Sequence, residues 1–333
     1  MKTALQPRRQ LARRLHGSSG RLRATLLPVP SAAPSSQGHT DIQAFREQAL
    51  LPQKPLLFRN DAASPTSHLR SLNKWFSKDP RGFSAYMDSF QDWPFPYELI
   101  LSSSEMKHAL ASFRDWLLES SDITDQILAG ILKESLAEGE DRTFFQLVAP
   151  LRLLVKALEF NRAQRSKATS TLELYIAQSE LGELPRPLQD DLLPPKLVKH
   201  AGKGDIYQSS LWVGSEPTYT PLHRDPNPNL FCQLCGCKVV RLLPPSSGDR
   251  LFYEVQAKIH QRGNSRIRST EMMEGQERKV LHDAVWNDGE AGEFHQAELS
   301  PGDALFIPDG WWHSVKSNKA EGQLNGSVNW WFR

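Results

Sequence analysis

At 333 residues the chain has length for one large domain or two modest ones, and 39% hydrophobic residues supply a sizeable core. A formal net charge of +2 does not by itself argue for a nucleic-acid partner. No apolar run approaches the roughly 18 residues of a membrane-spanning helix. The three cysteines, all between positions 232 and 237, make no disulfide framework, which is the usage of an intracellular protein.

Residues 1–40 contain seven Lys or Arg and no acid, so the remainder of the chain is mildly acidic. On a helix Ala4, Leu5, Leu11, Ala12 and Leu15 share one arc, with Lys2, Arg9, Arg13 and Arg14 opposite and Arg8 breaking the pattern. This is the composition of a mitochondrial transit peptide. A disordered basic tail and a nuclear signal at Arg8-Arg9 and Arg13-Arg14 remain open. Pro28, Pro30 and Pro34 read as a linker, so the folded body is expected from about Asp41.

A mostly helical region is expected over 41–165. Asp41 to Leu50 reads as a short helix and Lys54 to Arg59 as a strand, followed by an aromatic, proline-punctuated stretch from Ser64 to Tyr97. Ser102-Ser-Ser-Glu105 is a capping box that opens a helix through about Glu119. Asp122 opens a second, where Ile123, Ile127, Ile131 and Leu132 keep helical spacing, and Arg142 to Arg165 reads as a third, kinked at Pro150.

Over 166–333 the texture becomes β-rich. Gln208–Val213, Leu230–Leu234, Val239–Leu243, Ala304–Ile307, His313–Lys316 and Ser327–Phe332 are short runs separated by Pro, Gly, Asn and Asp turns. Many such strands argue for a sandwich or barrel. A long charged insert over 246–292 interrupts them, with one helix expected near Leu251 to Gln261.

Two segments of this half share a strand–turn–strand form. Thr220-Pro-Leu-His-Arg-Asp-Pro226 presents His223 and Asp225 two residues apart, on one face of an extended strand. Pro301-Gly-Asp303 starts a run that ends at Asp309-Gly310 and delivers His313. A His-x-Asp pair alone is a weak signal, and the other histidines, His16, His39, His68, His108, His200, His260 and His282, are read as ordinary structural residues. The matched surroundings raise His223, Asp225 and His313 to a metal site, because two imidazoles and one carboxylate form the facial triad of non-haem Fe(II) oxygenases. A Zn(II) hydrolase uses similar ligands. Lys238, thirteen residues past Asp225, discriminates: its ammonium suits the distal carboxylate of a bidentate keto acid.

At these residues the sequence resembles the JmjC family of Fe(II)- and 2-oxoglutarate-dependent oxygenases. It is closest to the small hydroxylases that resemble the asparaginyl hydroxylase of hypoxia-inducible factor and the arginyl-hydroxylase type. The resemblance rests on Leu211-Trp-Val-Gly214, Thr220 to Pro226, Asn229-Leu-Phe-Cys-Gln233, Gly236-Cys-Lys238, Leu243-Pro-Pro245, Pro301-Gly-Asp303, Phe306-Ile-Pro308, Trp312-His313 and Ser327-Val-Asn-Trp-Trp331, about the last 160 residues. Tyr175 to Leu181 matches the segment before the barrel. The resemblance implies a double-stranded β-helix, an eight-strand jelly roll of cupin type, with iron on His223, Asp225 and His313. It implies that Lys238 pairs with the C5 carboxylate of 2-oxoglutarate, with Thr220 and Tyr175 hydrogen-bonding the same group. Asn229 and Asn329 would line the cosubstrate and O2 side, and Trp212 would wall the pocket. Gln323 stands where the prolyl-hydroxylase-like branch places a cationic anchor, which favours Lys238.

The activity implied is hydroxylation of a substrate C–H bond with release of succinate and CO2, on a protein side chain. A tRNA hydroxylase, an N-methyl-lysine demethylase and a non-catalytic scaffold are the alternatives. Cys232, Cys235 and Cys237 read as small core or pocket residues, and Trp311 and Trp312 as substrate contacts or packing. The last strand ends the chain at Arg333, without the C-terminal helices by which some relatives dimerise, so a monomer is expected.

Overall fold

A computed structural model of the chain describes residues 24–34, 38–77, 82–136, 142–164, 171–260, 275–287 and 293–333. Seven strands precede the barrel: β1 (Thr25–Pro28), β2 (Leu56–Phe58), the paired β3 (Phe76–Ser77) and β4 (Gly82–Phe83), β5 (Pro94–Ile100), β6 (Phe144–Pro150) and β7 (Tyr175–Glu180). The barrel strands are β8 (Ile206–Ser215), β9 (Tyr219–Arg224), β10 (Asn229–Cys235), β11 (Lys238–Leu243), β12 (Glu293–Leu299), β13 (Ala304–Ile307), β14 (Trp312–Ser317) and β15 (Leu324–Phe332).

β13-β10-β15-β8 form the centre of one sheet and β12-β11-β14-β9 that of the other. This is the expected eight-strand jelly roll of cupin type. β2 extends one edge of the larger sheet and β7, β5 and β6 the other, while β1 extends the smaller sheet by pairing parallel to β12. Left-handed backbone at Gly236, Gly302 and Gly310 makes the turns that enter β11, β13 and β14.

Three apolar layers hold the sheets. Leu57, Phe231, Val240, Leu242, Leu299, Leu305 and Val315 fill the space between them. The outer face of the smaller sheet, with Leu222, Val239, Leu243 and Trp312, lies under Phe252 and Val255 of the helix Pro245–Lys258 and under Leu281 and Val285 of the helix Gly275–Trp286. The larger sheet is covered by the N-terminal elements, including Phe113, Leu117, Leu128 and Phe160. Strands covered on both faces bury every residue, as β10, β11 and β15 do, and so hide the alternation that marks a half-exposed strand.

The N-terminal region differs from expectation. Residues 142–165 are not one kinked helix: β6 pairs with β5 over seven registers, and only Arg152–Gln164 is helical. The run Phe-Phe-Gln-Leu-Val-Ala exposes Gln146 and Val148 and buries Leu147 and Ala149, a two-residue period that pairing stabilises over helix. The expected helices Ser104–Leu118 and Ile123–Leu136 are present, with the first cap on Ser103 rather than Ser102: its Oγ accepts from Met106 N at 3.2 Å. The 41–165 region therefore joins its helices with strands β2, β5 and β6, which extend the larger sheet.

The chain just before the expected boundary near Asp41 also packs on the barrel. Val29 N donates to Gln296 O at 3.0 Å and Ala32 N to Leu57 O at 2.8 Å, so this segment ties the smaller sheet to the larger. Pro28 is tolerated because β1 is an edge strand, and Pro30, beyond its end, only accepts, from Leu57 N at 2.9 Å. Residues 1–23, which carry the expected targeting segment, lie outside the described residues. In the 246–292 insert the expected helix is Pro245–Lys258, and a second, Gly275–Trp286, was not anticipated; nor was β12, which follows the insert.

Candidate metal centre

The strand pair β9–β14 brings the three ligands together. His223 lies directly opposite His313 in the register, with ring centroids 4.2 Å apart. Asp225 follows just beyond β9, its Oδ1 4.0 Å from His223 Nε2 and its Oδ2 3.6 Å from His313 Nε2. All three are buried, and one ligand atom from each lies within 4.8 Å of the others.

Each imidazole is oriented by its own strand. His223 Nδ1 lies 2.8 Å from Pro221 O and His313 Nδ1 3.1 Å from Trp311 O. A carbonyl only accepts, so each Nδ1 carries the proton and each Nε2 keeps a lone pair for a metal. Asp225 Oδ2 accepts from Trp331 Nε1 at 2.7 Å and Asn229 Nδ2 at 3.0 Å, and Asn229 Oδ1 accepts from Asn329 Nδ2 at 3.0 Å. These donors offset the burial of the carboxylate and fix its direction. Two oriented imidazoles and a carboxylate fit a divalent ion of the Fe(II) kind.

Below the triad lies a narrow chamber whose wall includes Tyr175, Trp212, Thr220, Asn229, Lys238 and Asn329, the residues singled out for the cosubstrate. Lys238 is 2% exposed and donates to Ser327 Oγ at 2.8 Å and to Tyr175 Oη at 3.4 Å. Among the described residues it makes no ion pair, and burial pushes its ammonium down to about 7. A cation held in this state favours an anionic ligand.

A register shift explains why Thr220 and His223, three residues apart, both face the chamber. His313 pairs with His223 but Val315 with Thr220, so β9 carries one extra residue against β14. Spacing alone does not reveal such a bulge. Ser327, Trp331, Phe231 and Val315 had no assigned role. Phe231 and Val315 line the chamber with Trp331, and Ser327, Asn329 and Trp331 share one face of β15 at two-residue spacing. That alternation was the available signal. Trp311 and Trp312 serve packing: Trp312 is fully buried and its ring lies 4.9 Å from that of Phe252. Cys232 and Cys235 are buried, as expected of core residues, and Cys237 is partly exposed.

Gly214 sets the position of Tyr175. A Cβ there would lie 2.5 Å from Leu174 O and 2.6 Å from Tyr175 Cδ2. Gly214→Ala is expected to cost about 1–3 kcal/mol in urea unfolding and to raise the KM for 2-oxoglutarate severalfold. Lost stability with an unchanged KM would remove Tyr175 from the cosubstrate contacts.

The family model described as a cupin-like domain matches residues 42–333. Lysine-specific demethylase JMJ30 of Arabidopsis thaliana is 30% identical over 180 residues, 54% of this chain and 38% of that protein. Jumonji C domain-containing protein 5 of Drosophila melanogaster is 30% identical over 185 residues, 54% of this chain and 42% of that protein. Lysine-specific demethylase 8 of Danio rerio is 26% identical over 159 residues, 47% of this chain and 36% of that protein. The alignments thus span well under half the length of these curated relatives. The family match covers nearly the whole described body, β2 and the N-terminal helices included, and on it the chain belongs to the cupin-like domain family, among relatives that carry JmjC domains.

Proposed function

We propose that the chain is an Fe(II)- and 2-oxoglutarate-dependent oxygenase that hydroxylates a C–H bond of a protein side chain, releasing succinate and CO2. The observation that carries this reading is Lys238, a buried ammonium without an acidic partner among the described residues, in the wall of the chamber that holds the His223, Asp225 and His313 triad. A hydrolytic zinc site has no need of such a cation.

Bound at the triad, iron supplies oxidation of the substrate carbon coupled to decarboxylation of the keto acid. The chain does the rest. Lys238, with Tyr175 and Ser327 beside it, receives the distal carboxylate of 2-oxoglutarate, and Thr220 lies on the same wall. Trp212, Phe231 and Val315 exclude water around the cosubstrate carbon chain, and Asn229 and Trp331 keep Asp225 aimed at the ion.

A second reading follows from the relatives named as lysine-specific demethylases. The same attack on an N-methyl carbon yields demethylation, so the site chemistry serves both, and the substrate that reaches the triad decides. A tRNA substrate has no comparable support.

The test is anaerobic Fe(II) reconstitution followed by succinate release from 2-oxoglutarate in air. Wild type is expected to turn over slowly without prime substrate, and His223→Ala to fall to background. Peptide pools bearing unmodified or N-methylated lysines then separate the two readings by a mass gain of one oxygen or the loss of a methyl group. Absence of both iron and 2-oxoglutarate binding would sink the oxygenase.

A further inference from the structure

A second cavity, of about 700 Å³, lies outside the metal chamber and shares no lining residue with it. Its walls come from the far ends of the ligand-bearing strands (Tyr219 on β9, Lys316 on β14), from Glu173 before β7, and from the helix Gly275–Trp286, which contributes Arg278, Lys279 and His282. Tyr219 and Lys316 are one residue from Thr220 and Val315, so they leave the smaller sheet on its outer face while their neighbours face the metal chamber.

Arg278 is the centre of this cavity. Its guanidinium packs over the Tyr219 ring at 4.6 Å, and its buried Nη1 takes no hydrogen bond. A buried guanidinium nitrogen without an acceptor is costly unless a ligand supplies one. Lys279 adds positive charge, whereas Lys316 lies over the Trp286 ring at 4.3 Å and Lys319 is paired with Glu321 at 3.2 Å. Glu173 is the only acid in the lining among the described residues. Burial pushes its carboxyl up to about 7 against the pull of Arg278, and Glu98, outside this lining, lies within electrostatic reach of the same guanidinium.

We propose that this cavity is a second ligand site that takes a small, multiply charged anion of the phosphate-ester or polycarboxylate class. The volume falls in the roughly 300–1,000 Å³ range of small-molecule pockets, and the planar Tyr219 and His282 rings, 5.1 Å apart and edge to face, offer an apolar wall beside the charges. A nucleic acid would require an extended basic track, and the chain's net charge of +2 supplies little long-range attraction. The site does not depend on the oxygenase reading, because it shares no lining residue with the metal chamber and Ser317, which pairs with Lys238 across β14 and β11, takes no part in the proposed anion contacts.

The test is isothermal titration of the full chain in metal-free buffer with inorganic pyrophosphate and, in a separate arm, citrate. Each arm is repeated on Lys279→Glu, Arg278→Gln and Lys238→Met. One saturable site is expected in wild type and in Lys238→Met, weakened roughly tenfold or more by Arg278→Gln and by Lys279→Glu. Lys279 is exposed, so its variant keeps the fold if Arg278→Gln does not. Binding of pyrophosphate alone assigns phosphate esters, of citrate alone carboxylates, and of both a site that reads charge. The proposal is overturned by no saturable heat up to about 1 mM, by binding indifferent to both Arg278 and Lys279, by binding lost in Lys238→Met, or by a single-stranded RNA that binds where neither small anion does.

Discussion

Lys238→Met is expected to make the metal-free chain more stable and to abolish its affinity for 2-oxoglutarate. The ammonium of Lys238 is buried among Phe231, Tyr175 and Ser327, and desolvation lowers its pKa from 10.5 to about 7. The unfolded chain therefore binds more protons than the folded one between about pH 7 and 10.5. Across that window stability rises with pH. Below it the folded protein carries the full cost of a buried charge, on the order of 2–4 kcal/mol after allowance for relaxation and residual hydrogen bonding. Methionine has a similar volume and no charge, so the variant should gain most of that amount in urea unfolding at pH 6.5 and progressively less by pH 10. The gain comes at the expense of function, a trade-off seen where a site is held in a strained state. In wild type, 2-oxoglutarate affinity should fall as pH rises above about 7, because the bound carboxylate requires the ammonium form. A variant less stable than wild type at pH 6.5 would show that Lys238 is already compensated without a ligand.

Asp225→Ala is expected to reduce Mn(II) or Fe(II) affinity by roughly two orders of magnitude or more, with turnover lost in parallel. It should also destabilise the metal-free protein, by about 1–3 kcal/mol, because Trp331 Nε1 and Asn229 Nδ2 lose their shared acceptor in a buried setting. Trp331 is a direct neighbour of the carboxylate, so metal titration followed by tryptophan fluorescence reports on this site in particular. Unchanged Mn(II) affinity in the variant would place the ion elsewhere.

The expected and observed structures agree most closely where backbone chemistry is local and punctuated. Pro226 and Pro228 after β9, the Pro301-Gly302-Asp303 turn and the Asp309-Gly310 turn each stop a strand at a definite residue, and Ala304–Ile307 falls where it was expected. The donor set was legible for the same reason. His223 and Asp225 are two apart beside a strand end, and His313 follows a turn in a like frame.

The failures share one physical cause. β6 and β1 exist because partners distant in sequence, β5 and β12, complete their hydrogen bonds, and no local pattern outweighs that pairing. The helix Gly275–Trp286 depends on the outer face of the smaller sheet, where Leu281 and Val285 find Leu222 and Trp312. By itself the sequence determined a sandwich or barrel, the three candidate ligands and Lys238, because proline, glycine and two-residue spacing constrain the chain locally, and the family resemblance narrowed that class to the jelly roll. Only the tertiary structure decided that a bulge in β9 turns Thr220 toward the same chamber as His223, and that Trp331 reaches Asp225 across the sheet. It alone leaves Lys238 without a counter-charge among the described residues, because solvent exclusion and register belong to the packed sheets and not to any one segment.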